Sequence, residues 1–322
     1  MRITRSTPRD GSVLPEAITA ILALPDSALY HAQHKRRNPK SLYARSLLRV
    51  AASWHAVLDE LESFEFSFLL TKNADRLTQV LDLHRDLLFA LYEHLDASYG
   101  CVRALFPAKG DGDPLLDTQF LEKAKVPGWN DFRSRVRPYV TNRIGAVVNS
   151  LKHNQSELAY LYLHRDADVR PGYYVRDVQT SGALGPSLRV HADGNSGFSF
   201  ARDMLLHFWN LYFISSELSV LLRRNSPPGT SSVLPAVEPS LCTSFERLAE
   251  RVAAVPLAFF PDEVRQPCPM VRWNPKLREL ELQMPSAIKP RRLPDSYQIV
   301  ASMNIDMTHS TNKLPYFGAN AA

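Results

Sequence analysis

The 322 residues, 45% hydrophobic and 22% charged, are enough for one large domain or two ordinary ones with a sizeable core. No window holds the 18 or so uninterrupted apolar residues of a membrane span; the nearest, Phe208 to Leu222, is broken by Asn210, Ser215, Ser216 and Glu217. The net charge of +5 is modest but clustered, which favours phosphate-bearing partners, with a solvated surface as the plainer alternative for any single cluster.

The start, MRITRSTPRDGS, lacks the apolar core of a secretory signal, and a cytoplasmic location is expected. Cys101, Cys242 and Cys268 have no paired spacing, so neither disulfides nor a zinc knuckle is expected. Residues 1–40 form a basic arm with a short helix near Pro15 to Leu24 and the run Lys35, Arg36, Arg37, Lys40. Ser41 to Glu62 places Leu47, Leu48, Ala51, Trp54, Leu58 and Leu61 at helical intervals. A second long helix follows from about Asn73 to Phe106, a loop at Lys109 to Pro114, and a weaker helix at Leu115 to Lys125.

Pro138 fits the first turn of the next helix, which the pattern carries to Gln155. Along it Ile144, Val147, Val148 and Leu151 share one face, while Asn142, Asn149, His153 and Ser156 share the other. Alternation then predicts a hairpin at Ala159 to His164 and Gly172 to Gln179, with a third strand at Ser187 to His191. Ser199 to Arg224 is apolar almost all round and predicts a central helix. Asn225 to Ser240 carries four prolines and reads as a linker, followed by a helix at Leu241 to Val255 and strands at Met270 to Trp273, Lys276 to Gln283 and Tyr297 to Met307. The expected fold is mainly α: an antiparallel helical bundle over 41–225 with a β insertion at about 158–192, a linker at 226–240, and a small α+β unit at 241–322.

Two polar constellations stand out. Asn149 and His153 lie on one helix face with Arg143 and Lys152 close by, and a histidine titrating near neutrality can deprotonate a ribose hydroxyl while a cation stabilises the phosphate. The same residues also suit a solvated helix face. On the apolar helix, Ser199, Asp203, His207, Asn210 and Glu217 form a narrow stripe with Arg202 beside it, and the four-residue step from Asp203 lets the carboxylate orient the His207 imidazole. An exposed helix edge would look alike. If the two stripes face one another, they make one pocket.

Other combinations carry less. His191 and Asp193 supply two ligands, and His31 and His34 have no third, so no metal and no cofactor is expected. His84-Arg85-Asp86 and His164-Arg165-Asp166 echo a kinase tripeptide without its asparagine or glycine-rich loop.

The segment Val148-Asn149-Ser150-Leu151-Lys152-His153 resembles the motif region of HEPN-type domains, helical bundles that are frequently dimeric and often act as metal-independent ribonucleases in toxin, defence or RNA-processing systems. The resemblance implies catalytic roles for Asn149 and His153. Its arginine position holds Val148, so Arg143 or Arg202 would supply the cation, with His207 nearby. Two readings follow: a ribonuclease acting through these residues, or a non-catalytic module that contacts RNA or a protein partner through Lys35, Arg36, Arg37, Lys40, Arg133, Arg137 and Lys152. A homodimer is compatible with either.

Overall fold

The computed structural model describes residues 1–110, 112–153, 156–180, 182–227, 237–285, 289–292, 296–302 and 312–316. The chain opens with β1 (Arg2–Ser6), α1 (Thr7–Asp10) and α2 (Ala17–Leu22), then forms the long pair α3 (Pro39–Thr71) and α4 (Arg76–Arg103). Asn38 caps α3 by accepting from the Lys40 amide at 2.9 Å, and Pro39 takes the first position, where a missing N–H costs nothing. The apolar stripe runs past Glu62 to Phe64 and Phe68, so α3 stops only at Lys72, whose backbone turns left-handed. Phe68 then meets Tyr162 edge to face at 5.4 Å, which ties the helix pair to the sheet.

After α5 (Asp117–Lys123), the helix expected from Pro138 is built otherwise. Pro138 lies near the end of α6 (Trp129–Tyr139), a π-helical turn follows at Val140–Ile144, and only then does α7 (Gly145–His153) begin. Proline cannot donate to the carbonyl four residues back, and a widened turn absorbs the misfit. A Cβ at Gly145 would run into the Val140 carbonyl oxygen, so the turn needs glycine there. One inserted residue rotates the face that follows by about 100°, and this turns Arg143 inward.

The mainly-α expectation is overturned: the protein is α+β, with two antiparallel sheets whose strands come from both ends of the chain. The hairpin is β2 (Glu157–Arg165) and β3 (Asp168–Val178), joined by β4 (Leu184–Pro186) and β5 (Phe198–Ser199), both on β3. Ser187 to His191 is a turn rather than the expected third strand, because Val190 and His191 both donate back to the Ser187 carbonyl. The helix predicted as central is α8 (Phe200–Asn225); α9 (Pro239–Ala253), β6 (Met270–Asn274), β7 (Glu279–Gln283) and β8 (Gln298–Ala301) follow. The order is β4-β3-β2-β8 in the larger sheet and β1-β7-β6 in the smaller. Thus residues of the basic arm pair with β7, and β8 pairs with β2 at Leu161↔Ala301. Sequence periodicity reports which face of a strand is apolar but not which distant strand lies beside it, so these pairings were illegible. The middle of the expected linker, 228–236, and the end of the last expected strand, 303–307, lie outside the described residues.

α8 is long and apolar enough to cross a membrane by length and composition, yet most of it is packed inside the core formed with α2, α3, α4 and α6. Trp54, fully buried, meets Phe208 at 5.6 Å and 84° in that core. β3 crosses close above, where an added Cβ at Gly172 would lie 2.5 Å from Phe260 Cζ and against the Phe198 carbonyl. Because a paired strand carbonyl cannot step aside, Gly172→Ala should cost about 1–3 kcal/mol, read as a lower urea midpoint. An unchanged midpoint would show that β5 is not held where described.

Candidate functional site

The polar stripe of α8 faces inward, and Asp203 is its centre. The carboxylate is fully buried. Its Oδ1 pairs with the Arg143 guanidinium delivered by the π turn, and its Oδ2 accepts from Tyr173 Oη at 2.7 Å and His207 Nε2 at 3.0 Å. His84, from the buried face of α4, brings its Nε2 to 3.2 Å from the same oxygen but out of line for a hydrogen bond. Tyr139 Oη meets His207 Nδ1 at 2.6 Å, so one helical residue links the carboxylate to a tyrosine at the surface of the core. Burial opposes the Asp203 charge, but His207 and Arg143 hold its carboxyl well below the ordinary range. Burial, then the Asp203 charge, keeps the Tyr139 and Tyr173 hydroxyls protonated far above theirs, so both act as neutral hydrogen-bonding groups.

Two members of this network, Tyr139 and Arg143, reach a cleft of about 300 Å³ between α6 and α8, lined also by Arg202, Trp209, Asn210 and Gln266 with apolar Pro138, Leu206 and Met284. Arg143 lies flat on Phe198, its guanidinium carbon 3.4 Å from the ring centroid. Arg202 donates to the Pro267 carbonyl at 2.8 Å and approaches Glu263 at 3.8 Å. In both arginines the buried Nε finds no hydrogen-bond partner among the described residues. A cleft with two such donors and a few amides suits a small anion or the phosphate of a larger ligand. A second groove of similar size, between α3 and α9, is lined by Leu58, Leu61, Met204 and Val255 and edged by Glu62, Glu65, Glu250 and Arg251.

Glu263 supports the cleft from behind: it accepts from Ser199 Oγ at 2.5 Å and from the Phe260 amide at 3.1 Å. Burial pushes its carboxyl up to about 7, against the pull of Ser199 and Arg202. Between the unfolded value near 4.3 and that folded value, the folded state holds the extra proton. Stability is therefore fully present below the lower limit and declines as pH rises towards 7, by on the order of 3 kcal/mol. Glu263→Gln should flatten that slope in urea titrations; an identical slope in both proteins would place the carboxyl elsewhere.

The structure brings together Arg143, Arg202 and His207 but not Asn149 and His153. Asn149 is exposed beside Tyr92, His153 is exposed at the end of α7, and Lys152 stacks over Phe89 and Tyr92 at 5.4 and 5.2 Å. Ten residues of helix put Arg143 roughly 15 Å from His153 along the axis, so the two cannot share a phosphate. The two polar stripes do not meet in one pocket. The basic runs are also partly neutralised: Arg36 pairs with Asp117 at 2.6 Å, Lys40 with Asp26 at 2.8 Å, and Arg133 with Glu122. Among the described residues no ion pair engages Lys35, Arg37 or Arg137. His34 is taken by the Phe106 carbonyl at 2.8 Å, and His191 Nε2 accepts from the Val175 amide at 3.0 Å. Sequence reasoning passed over Tyr139, Tyr173 and Glu263, and met His84 only in a kinase-like tripeptide. His84 was open to discovery, because it sits between Val80 and Leu88 on an apolar stripe and a buried imidazole there must find a polar partner.

No protein-family model, characterised protein or solved structure matches the chain significantly.

Proposed function

We propose that the cleft between α6 and α8 binds a nucleotide phosphate, presented free or within an RNA strand, with Arg143 and Arg202 as its cationic donors. The observation that carries this reading is the placement in the lining of one cleft of two arginines, each with a buried Nε that has no hydrogen-bond partner among the described residues. Trp209 offers an aromatic wall on which a base can stack, and Asn210 and Gln266 offer amides for its edge. Binding is favoured over cleavage, because the histidine required by the ribonuclease reading stands away from any guanidinium of the cleft. A cytoplasmic setting suits this reading, and Cys101, Cys242 and Cys268 are free thiols.

Titration calorimetry with a nucleoside monophosphate and with a short single-stranded RNA tests it. Saturable binding that weakens with salt is expected, and Arg202→Ala should lose about tenfold or more, the worth of one hydrogen bond to a charged group. Binding of both ligands assigns the cleft to a nucleotide, and binding of the strand alone assigns it to RNA. Heat from neither would end the proposal. Metal-independent cleavage of the RNA, lost in His153→Ala, would restore the nuclease instead.

A further inference from the structure

Three side chains beneath the cleft have a geometry that the Asp203 ion pair and its hydrogen bond to His207 account for only in part. His84, Asp203 and His207 each present one potential ligand atom within 4.8 Å of the other two, and all three residues are buried. The carboxylate oxygen lies 3.0 Å from the His207 nitrogen and 3.2 Å from that of His84. Ligands held about 2.0–2.2 Å from a common ion at tetrahedral or octahedral angles lie roughly 3–3.5 Å apart, so the Asp203 oxygen already stands at ligand spacing from each imidazole nitrogen.

His84 supplies an independent sign. Both of its ring nitrogens are buried without a hydrogen-bond partner among the described residues. Left so, each forfeits the solvation it had in water. The ring is fixed all the same, tilted against Tyr173 at 4.6 Å and edge-on to Phe200 at 5.1 Å. An imidazole locked in place with its nitrogen turned to a carboxylate, but not bonded to it, is oriented as a ligand.

From this geometry we infer that His84, Asp203 and His207 form a binding site for a divalent first-row transition-metal ion. The outer partners fit the assignment. In the metal-bound tautomer His207 Nδ1–H would donate to Tyr139 Oη, and Nε2, which otherwise donates to Asp203, would be free to ligate, while Arg143 holds the second carboxylate oxygen. Two imidazoles and one carboxylate suit zinc, iron, cobalt or nickel rather than magnesium or calcium, which prefer all-oxygen sets. The Arg143 charge beside the site lowers its affinity without removing it, because the guanidinium and the ion engage different oxygens of Asp203. Tyr139 and Arg143 both line the cleft, so the ion lies one layer beneath the proposed phosphate site. This assignment does not depend on what the cleft binds.

The test uses the full chain expressed with added Co²⁺, with metal content, visible d–d absorption and melting temperature as readouts. The folded protein should carry one Co²⁺ per chain and melt higher than chelator-treated protein. His84→Gln and His207→Gln should each bind Co²⁺ at least tenfold more weakly, since loss of even an outer partner costs about 10- to 100-fold. Should either variant fail to fold, X-ray absorption of the Co²⁺-loaded wild type decides the matter: two imidazoles in the first shell support the site. Wild type without stoichiometric Co²⁺, retention of the same absorption in folded His84→Gln, or a shell without imidazole would overturn it.

Discussion

Asp203→Ala should destabilise the metal-free protein by about 3–5 kcal/mol, the usual cost of removing one partner of a buried ion pair. The substitution leaves the Arg143 guanidinium without its counter-charge, and Tyr173 and His207 lose their acceptor in the same place. Losing the carboxylate alone is therefore worse than losing the pair. Asp203→Ala combined with Arg143→Ala should recover part of the deficit, because no isolated charge is then left inside. Urea denaturation of the four proteins reads the cycle directly. A single-variant loss under about 1 kcal/mol, the range of a surface pair, would mean that the carboxylate is not buried with the arginine as described.

Trp54→Ala should cost a comparable 3–5 kcal/mol, since it opens a cavity where α3 crosses α8. Trp54→Phe is the more informative variant. The Trp54 indole N–H is buried with no hydrogen-bond partner among the described residues, and an unmade bond of that kind carries a penalty of about 1–3 kcal/mol. Phenylalanine keeps most of the contact with Phe208 and removes the orphaned donor. Its cost should fall well below that of alanine. Equal losses in the two variants would show that the indole nitrogen is satisfied and that shape alone decides the packing.

The long helices were legible because their apolar residues recur at helical spacing: Leu47, Trp54, Leu58 and Leu61 gave α3, and Val80, Leu87, Leu88 and Leu91 gave α4. The polar stripe of α8 was legible for the same reason, since Asp203 and His207 interrupt an apolar cylinder one turn apart. Its partners were not. Tyr139, Tyr173 and His84 come from three other elements, and only the tertiary crossing of α4, α6, β3 and α8 assembles them. The π turn defeated the reading of 142–156 in another way: one extra residue changes the helix phase, so Arg143 leaves the face of Asn149 and His153 and turns towards Asp203. The α+β class was hidden for the reason that β1 and β8 lie at opposite ends of the chain, and their partners are fixed by register rather than by local pattern.

The proposed phosphate site rests on Arg143 and Arg202, whose Nε–H groups are unpartnered among the described residues. Nitrogen–proton correlation spectra of the arginine Nε groups, assigned by Arg143→Lys and Arg202→Lys and recorded while a nucleoside monophosphate is added, address those donors individually. Both resonances should shift together and saturate at one ligand per chain. Shifts confined to exposed arginines such as Arg37 and Arg137, with the two cleft signals unmoved, would contradict it.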